Sequence, residues 1–498
     1  MNVNPITRLD YPDPDVIRVE DTYYMVSTTM HFMPGCEILQ SFDLVHWEHV
    51  TYVYETLDHT DAQQLKSGQN IYGQGMWAAS LRYHEGRFYI CFVANDTRKT
   101  YLYTSEKIDG PWKKQLIEGF YHDGSLLFDE DGRNYIVYGN DEIWITELNE
   151  DLTAPKKDGL HRLLVSDHKN PELGYEGSHI QKINGYYYIF LVHSLRDRWM
   201  RTEACFYSDS LEGEFTGGDV LCDDRGYCGQ GVAQGGIVDT PDGKWYAMLF
   251  QDSGAVGRIP ILLPVIWKDH FPFFGQNGHV PEEIEVHSTR PGYIYQPLVG
   301  SDDFCNGLLP RWQFNHDPDP RYYHLDALQG TYTITTREVC TELTQAVNTL
   351  TQRMSYPSCA AEVTVDASAL KEGDVAGLCA LQGCYAAVGI TKHHGKYEVL
   401  MLDKKEDGIL DMTEGTVVES HQMDFRLEAD FCNMKDEAHC YYRVNKGDWL
   451  PIGTVHKLYF KLDHFTGCRF GLFCYAAEET GGSACFRDFK YYDVDEIS

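Results

Sequence analysis

The chain has 498 residues, too many for one typical domain and suited to two, each able to bury its own core. Its formal charge of −33 repels phosphate backbones and anionic lipid, and no run of Lys or Arg interleaved with aromatics offsets it, which excludes nucleic-acid and membrane-surface roles. Neutral ligands such as sugars suffer no such repulsion, and 13% aromatic residues supply flat apolar faces for them.

The opening, "MNVNPITRLDYPDPD", has neither the basic segment nor the apolar core of an export signal, and nowhere do about eighteen apolar residues run together. A cytoplasmic protein is expected. Fifteen cysteines run from Cys36 to Cys485 with no CxxC pair, and their odd number fits free thiols in a reducing compartment. The 21 histidines form no spaced ligand cluster, so no metal site is predicted, and the phosphate-binding glycine loops and the H-E-x-x-H zinc motif are absent.

In chain order the first feature is "LDYPDPDVIR", where Asp13 stands between Pro12 and Pro14. Pro14 disfavours the helical region for Asp13, which predicts an extended, rigidly aimed carboxylate. Five similar segments follow: "VIRVEDTYYMVST", "SLRYHEGRFYICFV", "LLFDEDGRNYIVYG", "HIQKINGYYYIFLV" and "GIVDTPDGKWYAMLF". Each reads as an apolar strand, a polar turn and an aromatic-rich strand, which is a β-hairpin. Aligned on Tyr24, Tyr89, Tyr135, Tyr188 and Tyr246, they recur at roughly 45 to 65 residues, a period that suits the blades of a β-propeller.

Eleven or twelve residues before each anchor stand Asp13, Trp77, Asp123, Glu176 and Gln234. The innermost strands of a propeller line its axis, so these positions are expected to converge on one funnel. Unpaired carboxylates aimed at a protein's centre are costly unless they serve a purpose. Two carboxyl groups flanking an acetal are the equipment of glycoside hydrolysis. Glu176, with the longer arm and apolar neighbours that would raise its pKa, suits the general acid; Asp13 suits the base that activates water; Asp123 would orient the sugar and help keep Glu176 protonated. Trp77 is either a core residue or a platform for the sugar's C–H groups. Asp131 and Asp242 are turn residues.

After "PGYIYQPLVG" the blade pattern stops, and "SDDFCNGLLPRWQFNHDPDP" reads as a linker. The runs "TYTITT", "AAEVTVDAS", "YEVLMLD", "HKLYFKLDH" and "ACFRDFKYYDV" then alternate with period two, as strands of a β-sandwich do. The expected architecture is all-β, with a propeller over residues 1–298 and a sandwich over 299–498.

The P-D-P opening, "GMWAASLRYHEGRFY", "DGSLLFDEDGR", "YEGSHIQKINGYYY" and "QGGIVDTPDGKWYAMLFQDSGAVGRIPILLPVIW" together resemble glycoside hydrolase family 43, the five-bladed β-xylosidases and α-L-arabinofuranosidases. The resemblance implies that Asp13 is the general base, Glu176 the general acid and Asp123 the residue that tunes and orients the acid, in a single-step inverting reaction. It also implies that Arg258, otherwise a surface ion-pair residue, hydrogen-bonds the pentose, and that Met30 and Phe32 line the same subsite. The segments "NTLTQR" and "GDVAGL" resemble the family's C-terminal jelly-roll-like domain, which packs on the propeller and helps close the funnel. No cofactor is required. A structural or activating Ca2+ occurs in relatives with histidine at the fifth axial position, where this chain has Gln234, and W-A-P is W-A-A here.

The function expected is exo-acting hydrolysis that releases xylose or arabinofuranose from small oligosaccharides, in a monomer or homo-oligomer. The rivals are an endo-arabinanase-type glycosidase, which needs an open groove, and a sugar-binding propeller without catalysis.

Overall fold

The computed structural model describes residues 3–462 and 464–493. Five four-stranded antiparallel sheets, here blades 1 to 5, follow one another within residues 15–54, 76–117, 125–166, 176–221 and 233–274. Each predicted hairpin supplies the first two strands of a blade, with the anchor tyrosines paired to Ile17, Arg82, Leu127, Gln181 and Val238. The first strands of successive blades touch in a closed ring, blade 5 against blade 1, which makes a five-bladed propeller.

The aromatic and β-branched content of the hairpins follows from this packing, because a blade is covered on both faces by its neighbours. Five buried apolar clusters sit one at each blade boundary: Ile38 of blade 1 and Tyr101 of blade 2 share one, and Tyr246 of blade 5 and Tyr23 of blade 1 share another. Each fully buried Leu, Ile or Phe there contributes roughly 1.5–3 kcal/mol. The N-terminal segment bridges the ring's seam: Asn4 exchanges two hydrogen bonds with the backbone of Leu262, and the Tyr11 N–H donates to the Arg258 carbonyl at 2.9 Å. The centre of the ring is filled by a polar knot. Arg82 reaches Asp15 at 2.8 Å and Ser125 at 2.7 Å, while His179 meets the other Asp15 oxygen at 3.1 Å.

The remainder of the chain is a two-sheet sandwich around one large core. One sheet has seven strands; the other has nine, and its edge strand, Phe32–Met33, comes from blade 1 and pairs with Gln313–Asn315. Beside this seam Arg353 is buried against Glu37 at 2.8 Å and donates to the Asp10 carbonyl at 2.9 Å.

Two sequence expectations change, at 301–320 and in the run that begins at His456. The stretch 301–320 is no linker: Phe304 and Trp312 are buried in the sandwich core, the Trp312 indole donating to Asp302 at 2.8 Å. Residues 289–295 turn back onto blade 1, where Arg290 meets Asp21 at 2.8 Å and Tyr295 accepts from the Phe42 N–H at 2.9 Å. Finally, among the described residues of "HKLYFKLDH" only His456 and Lys457 belong to a strand, Leu450–Lys457; Asp463 lies outside the described residues. The following loop crosses to the propeller and is tied there by Gly467 N–H to Asp10 at 2.7 Å and by Cys468 N–H to the Ala255 carbonyl at 2.8 Å.

Candidate active site

All five axial residues line one cavity of about 220 Å3: Asp13, Trp77, Asp123, Glu176 and Gln234. Local backbone irregularity aims them. Register shifts interrupt the inner strands between Met76 and Ala79, between Glu176 and His179, and between Ala233 and Gly236. Such bulges turn a side chain out of the pleat. Asp13, Asp123 and Gln234 have φ of 52°, 48° and 61°. For Asp13 this overturns the extended conformation expected from Pro14. Its carboxylate is gripped by the Thr28 hydroxyl and by Arg258, both at 2.6 Å, and these bonds offset the roughly 1–3 kcal/mol that a left-handed residue costs.

The cavity's charges are wired. Arg258 also reaches Asp252 at 3.3 Å, and Arg201, buried alongside, is paired with the other Asp252 oxygen. Burial and the neighbouring Arg258 pull Arg201 down to about 9. Opposite them, the Asn140 amide donates to Glu176 Oε2 at 2.6 Å and the Gly177 N–H donates to Asp123 Oδ2 at 3.0 Å. Between these two carboxylates sits His122, its Nε2 3.6 Å from Asp123 and 3.7 Å from Glu176. The Asp123 charge raises the imidazole to about 9. Burial raises the Asp123 carboxyl to about 6 against the pull of His122, with Glu176 and Asp13 adding to the rise. Burial pushes Glu176 the same way, but His122, Arg201 and Arg258 outweigh it and hold Glu176 below its ordinary value. The sequence-based expectation that apolar neighbours raise Glu176 is thereby reversed.

The fourth wall comes from the other domain. Leu462 and Phe465, on the loop that follows Leu450–Lys457, line the cavity. Phe465 covers the Arg258 guanidinium at 3.7 Å and meets Trp77 edge-on at 5.2 Å. Trp77 is thus a half-buried wall of the cavity and not a core residue. Gln234 is held from below, its N–H donating to Glu203 at 2.7 Å. Its side chain lies against Gly177, where an added Cβ would come 2.6 Å from Gln234 Cγ.

Met30 and Phe32 are not among the cavity's lining residues. Both are buried beneath the sandwich, Met30 bridged to Met76 and Phe32 under the guanidinium of Arg469 at 3.4 Å. His122, Arg201, Asn140 and Phe465 escaped the sequence reading. His122 alone left a signal, as the immediate neighbour of an axial acid; the others lie at later strand ends or in another domain.

A calcium ion seeks six to eight oxygen ligands. At the ring's centre Asp15 is the carboxylate on offer, and Arg82, His179 and the Leu81 N–H already occupy it. His122, Asp123 and Glu176 bring donor atoms within 4.8 Å of one another. There the raised imidazole supplies the positive charge, and N–H groups of Asn140 and Gly177 take carboxylate oxygens. Neither place suits the ion.

Residues 3–272 match the model of "Glycosyl hydrolases family 43", and residues 301–492 that of "Beta xylosidase C-terminal Concanavalin A-like domain". A β-xylosidase of Formosa agariphila is 26% identical over 99% of this chain and 89% of its own length. A solved structure of a bifunctional GH43-CE protein from Bacteroides eggerthii superposes with a TM-score of 0.92 at 42% identity, covering 99% of this chain and 64% of that longer one. A second, a family 43 enzyme engineered to display both endo-xylanase and exo-arabinofuranosidase activity, gives 0.86 at 27% identity with 99% of both chains covered.

Proposed function

The chain belongs to glycosyl hydrolase family 43, and from that premise we propose that it removes single β-D-xylosyl or α-L-arabinofuranosyl units from the ends of small xylan- or arabinoxylan-derived oligosaccharides. The observation that carries this reading is the enclosure of three carboxylates from three blades in a cavity of about 220 Å3, walled on one side by the sandwich loop. Drug-sized pockets run to about 300–1,000 Å3, so this one accommodates a terminal sugar and not a chain passing through.

In the proposed reaction Asp13, fixed by Arg258 and Thr28, accepts a proton from the water that attacks the anomeric carbon. Glu176 delivers a proton to the departing glycosidic oxygen, and the anomeric configuration inverts in one step. Entry of the sugar expels water around Glu176, and loss of solvation favours its protonated form. Asp123, on the Gly177 N–H, holds the acid's segment in place and repels a second charge beside it. Trp77 and Phe465 offer apolar faces to the pentose, and Arg258 a donor.

We further propose a reducing compartment, the cytoplasm, which is supported by all fifteen cysteines being unpaired. Among the described residues no helix is long and apolar enough to cross a membrane.

The test is hydrolysis of 4-nitrophenyl β-D-xylopyranoside and 4-nitrophenyl α-L-arabinofuranoside side by side, with Glu176→Gln as control. Cleavage of either by the wild type, with an inverted product by NMR and strong loss in the variant, supports the reading. A folded wild type inert on both overturns it.

A further inference from the structure

The acid of a hydrolytic pair must carry a proton when substrate arrives, yet the arrangement around Glu176 favours its ionised form. Its Oε2 accepts from Asn140 at 2.6 Å and faces His122 Nε2 at 3.7 Å. The same imidazole nitrogen faces Asp123 Oδ2 at 3.6 Å, and the ring's edge rests against Trp77, centroids 6.0 Å apart. His122 lines the cavity and is half-buried among these neighbours. The charged groups around it are Asp123 on its own segment, Glu176 on blade 4 and, farther off, Asp13 on blade 1. Arg201 and Arg258 add their charge to that of His122 in acting on Glu176. One imidazole therefore bridges the two carboxylates whose protonation decides whether the leaving group can depart.

Resting on the hydrolytic reading above, we propose that His122 is a positioning residue that acts through Glu176, storing on Nε2 the proton that Glu176 hands to the glycosidic oxygen. In the free enzyme the pair is imidazolium and carboxylate, a charge-assisted contact that draws the Glu176 arm toward blade 3. When the sugar displaces water, the carboxylate loses solvation and the proton moves from His122 Nε2 to Glu176 Oε2 as their separation closes from 3.7 Å to hydrogen-bond length. As the C–O bond breaks, the proton passes from Glu176 to the departing oxygen, and water gives one proton to Asp13 while its oxygen bonds the anomeric carbon. Afterwards Asp13 releases its proton to solvent and His122 regains one. No charge is created or lost over the cycle. Asp123 keeps His122 protonated at rest, which gives it a second task beside holding the Gly177 segment.

The experiment compares wild type with His122→Gln, which keeps an N–H donor but stores no proton. Each is assayed on an unactivated disaccharide and on the 2,4-dinitrophenyl glycoside of the same sugar, whose leaving group needs almost no protonation. The expected result is a roughly 100-fold loss of kcat/KM on the disaccharide, less than about threefold on the dinitrophenyl glycoside, and a basic limb of the pH profile moved toward acid. Equal losses on both substrates with an unmoved profile would show a merely structural part and overturn the proposal. His122→Asn replaces the variant if it does not fold. Independently, 15N NMR of the wild type is expected to show one imidazole still protonated above pH 8; none in that state also overturns it. A wild type inert on every glycoside would instead bring down the hydrolytic reading itself, and this inference with it.

Discussion

Phe465, carried by the sandwich, lies with its ring 3.7 Å from the guanidinium of Arg258, carried by the last blade. That guanidinium is the partner of Asp13 at 2.6 Å, so a residue from a domain without any of the three acids fixes the surroundings of the base. A cation–π contact shielded from water is worth about 2 kcal/mol. Phe465→Ala is expected to raise KM roughly tenfold, with a smaller fall in kcat, and to open the cavity to longer ligands. Kinetics on a disaccharide and on a longer oligosaccharide measure both; an unchanged KM would remove Phe465 from the site.

Asp13→Asn keeps an oxygen for Arg258 but cannot take a proton. Turnover on an unactivated disaccharide is expected to fall by about 10²–10⁴ while the melting temperature stays close to that of the wild type. Near-normal turnover in a folded variant would mean that Asp13 is not the base.

Gly177 has a φ of 66° and faces the Gln234 side chain, so any Cβ there is both strained and crowded. Gly177→Ala is expected to cost about 1–3 kcal/mol of stability and to lower kcat/KM at least tenfold, because Glu176 is its chain neighbour and Asp123 its hydrogen-bond partner. Chemical unfolding and kinetics on one preparation check it. A stable, fully active variant would show that the segment relaxes freely.

The seam between the domains buries His31, from blade 1, against His316 of the sandwich at 4.8 Å, with Tyr72, His464 and the Arg469 side of Phe32 around them. Burial lowers His316 to about 3 and His31 well below its ordinary value. A depressed histidine stabilises the fold above its unfolded value of about 6.5, and that contribution drains away as pH falls toward the folded value. Each unit of pH in this window costs about 1.4 kcal/mol per histidine. Asp10 in the same seam works the other way: burial raises it to about 6, so its contribution is full below about 3.8 and lost as pH rises through 6. The melting temperature is expected to fall between pH 7 and pH 5, and His316→Gln, which can still accept from the Ile71 N–H, should flatten the slope. An identical slope in the variant would clear His316 of the effect.

The propeller was legible because its hairpins repeat, and a repeat advertises itself without any knowledge of contacts. The five axial residues followed from the same periodicity, since Asp13, Trp77, Asp123, Glu176 and Gln234 hold equivalent places in successive blades. Arg201 and Asn140 were not legible, because they sit at strand ends where blades differ. Phe465 was hidden more deeply. It follows directly on a run that alternates like a strand, and the residues that tie its loop down at Gly467 and Cys468, Asp10 and Ala255, lie in the propeller, far off in sequence. Glu176's electrostatics were misjudged for a related reason: its chain neighbours are apolar, whereas His122, Arg201 and Arg258 reach it only in the folded ring.

The strand Phe32–Met33, lent by blade 1 to the sandwich's sheet, makes the second domain something other than a detachable accessory. Stopping translation after the fifth blade would strip this strand of its partner and leave Glu37 buried without Arg353. Transplanting the sandwich onto another propeller would demand a matching edge in that host. The two halves are therefore expected to have been inherited together, with substrate range drifting through the crossing loop while the chemistry beneath it stayed fixed.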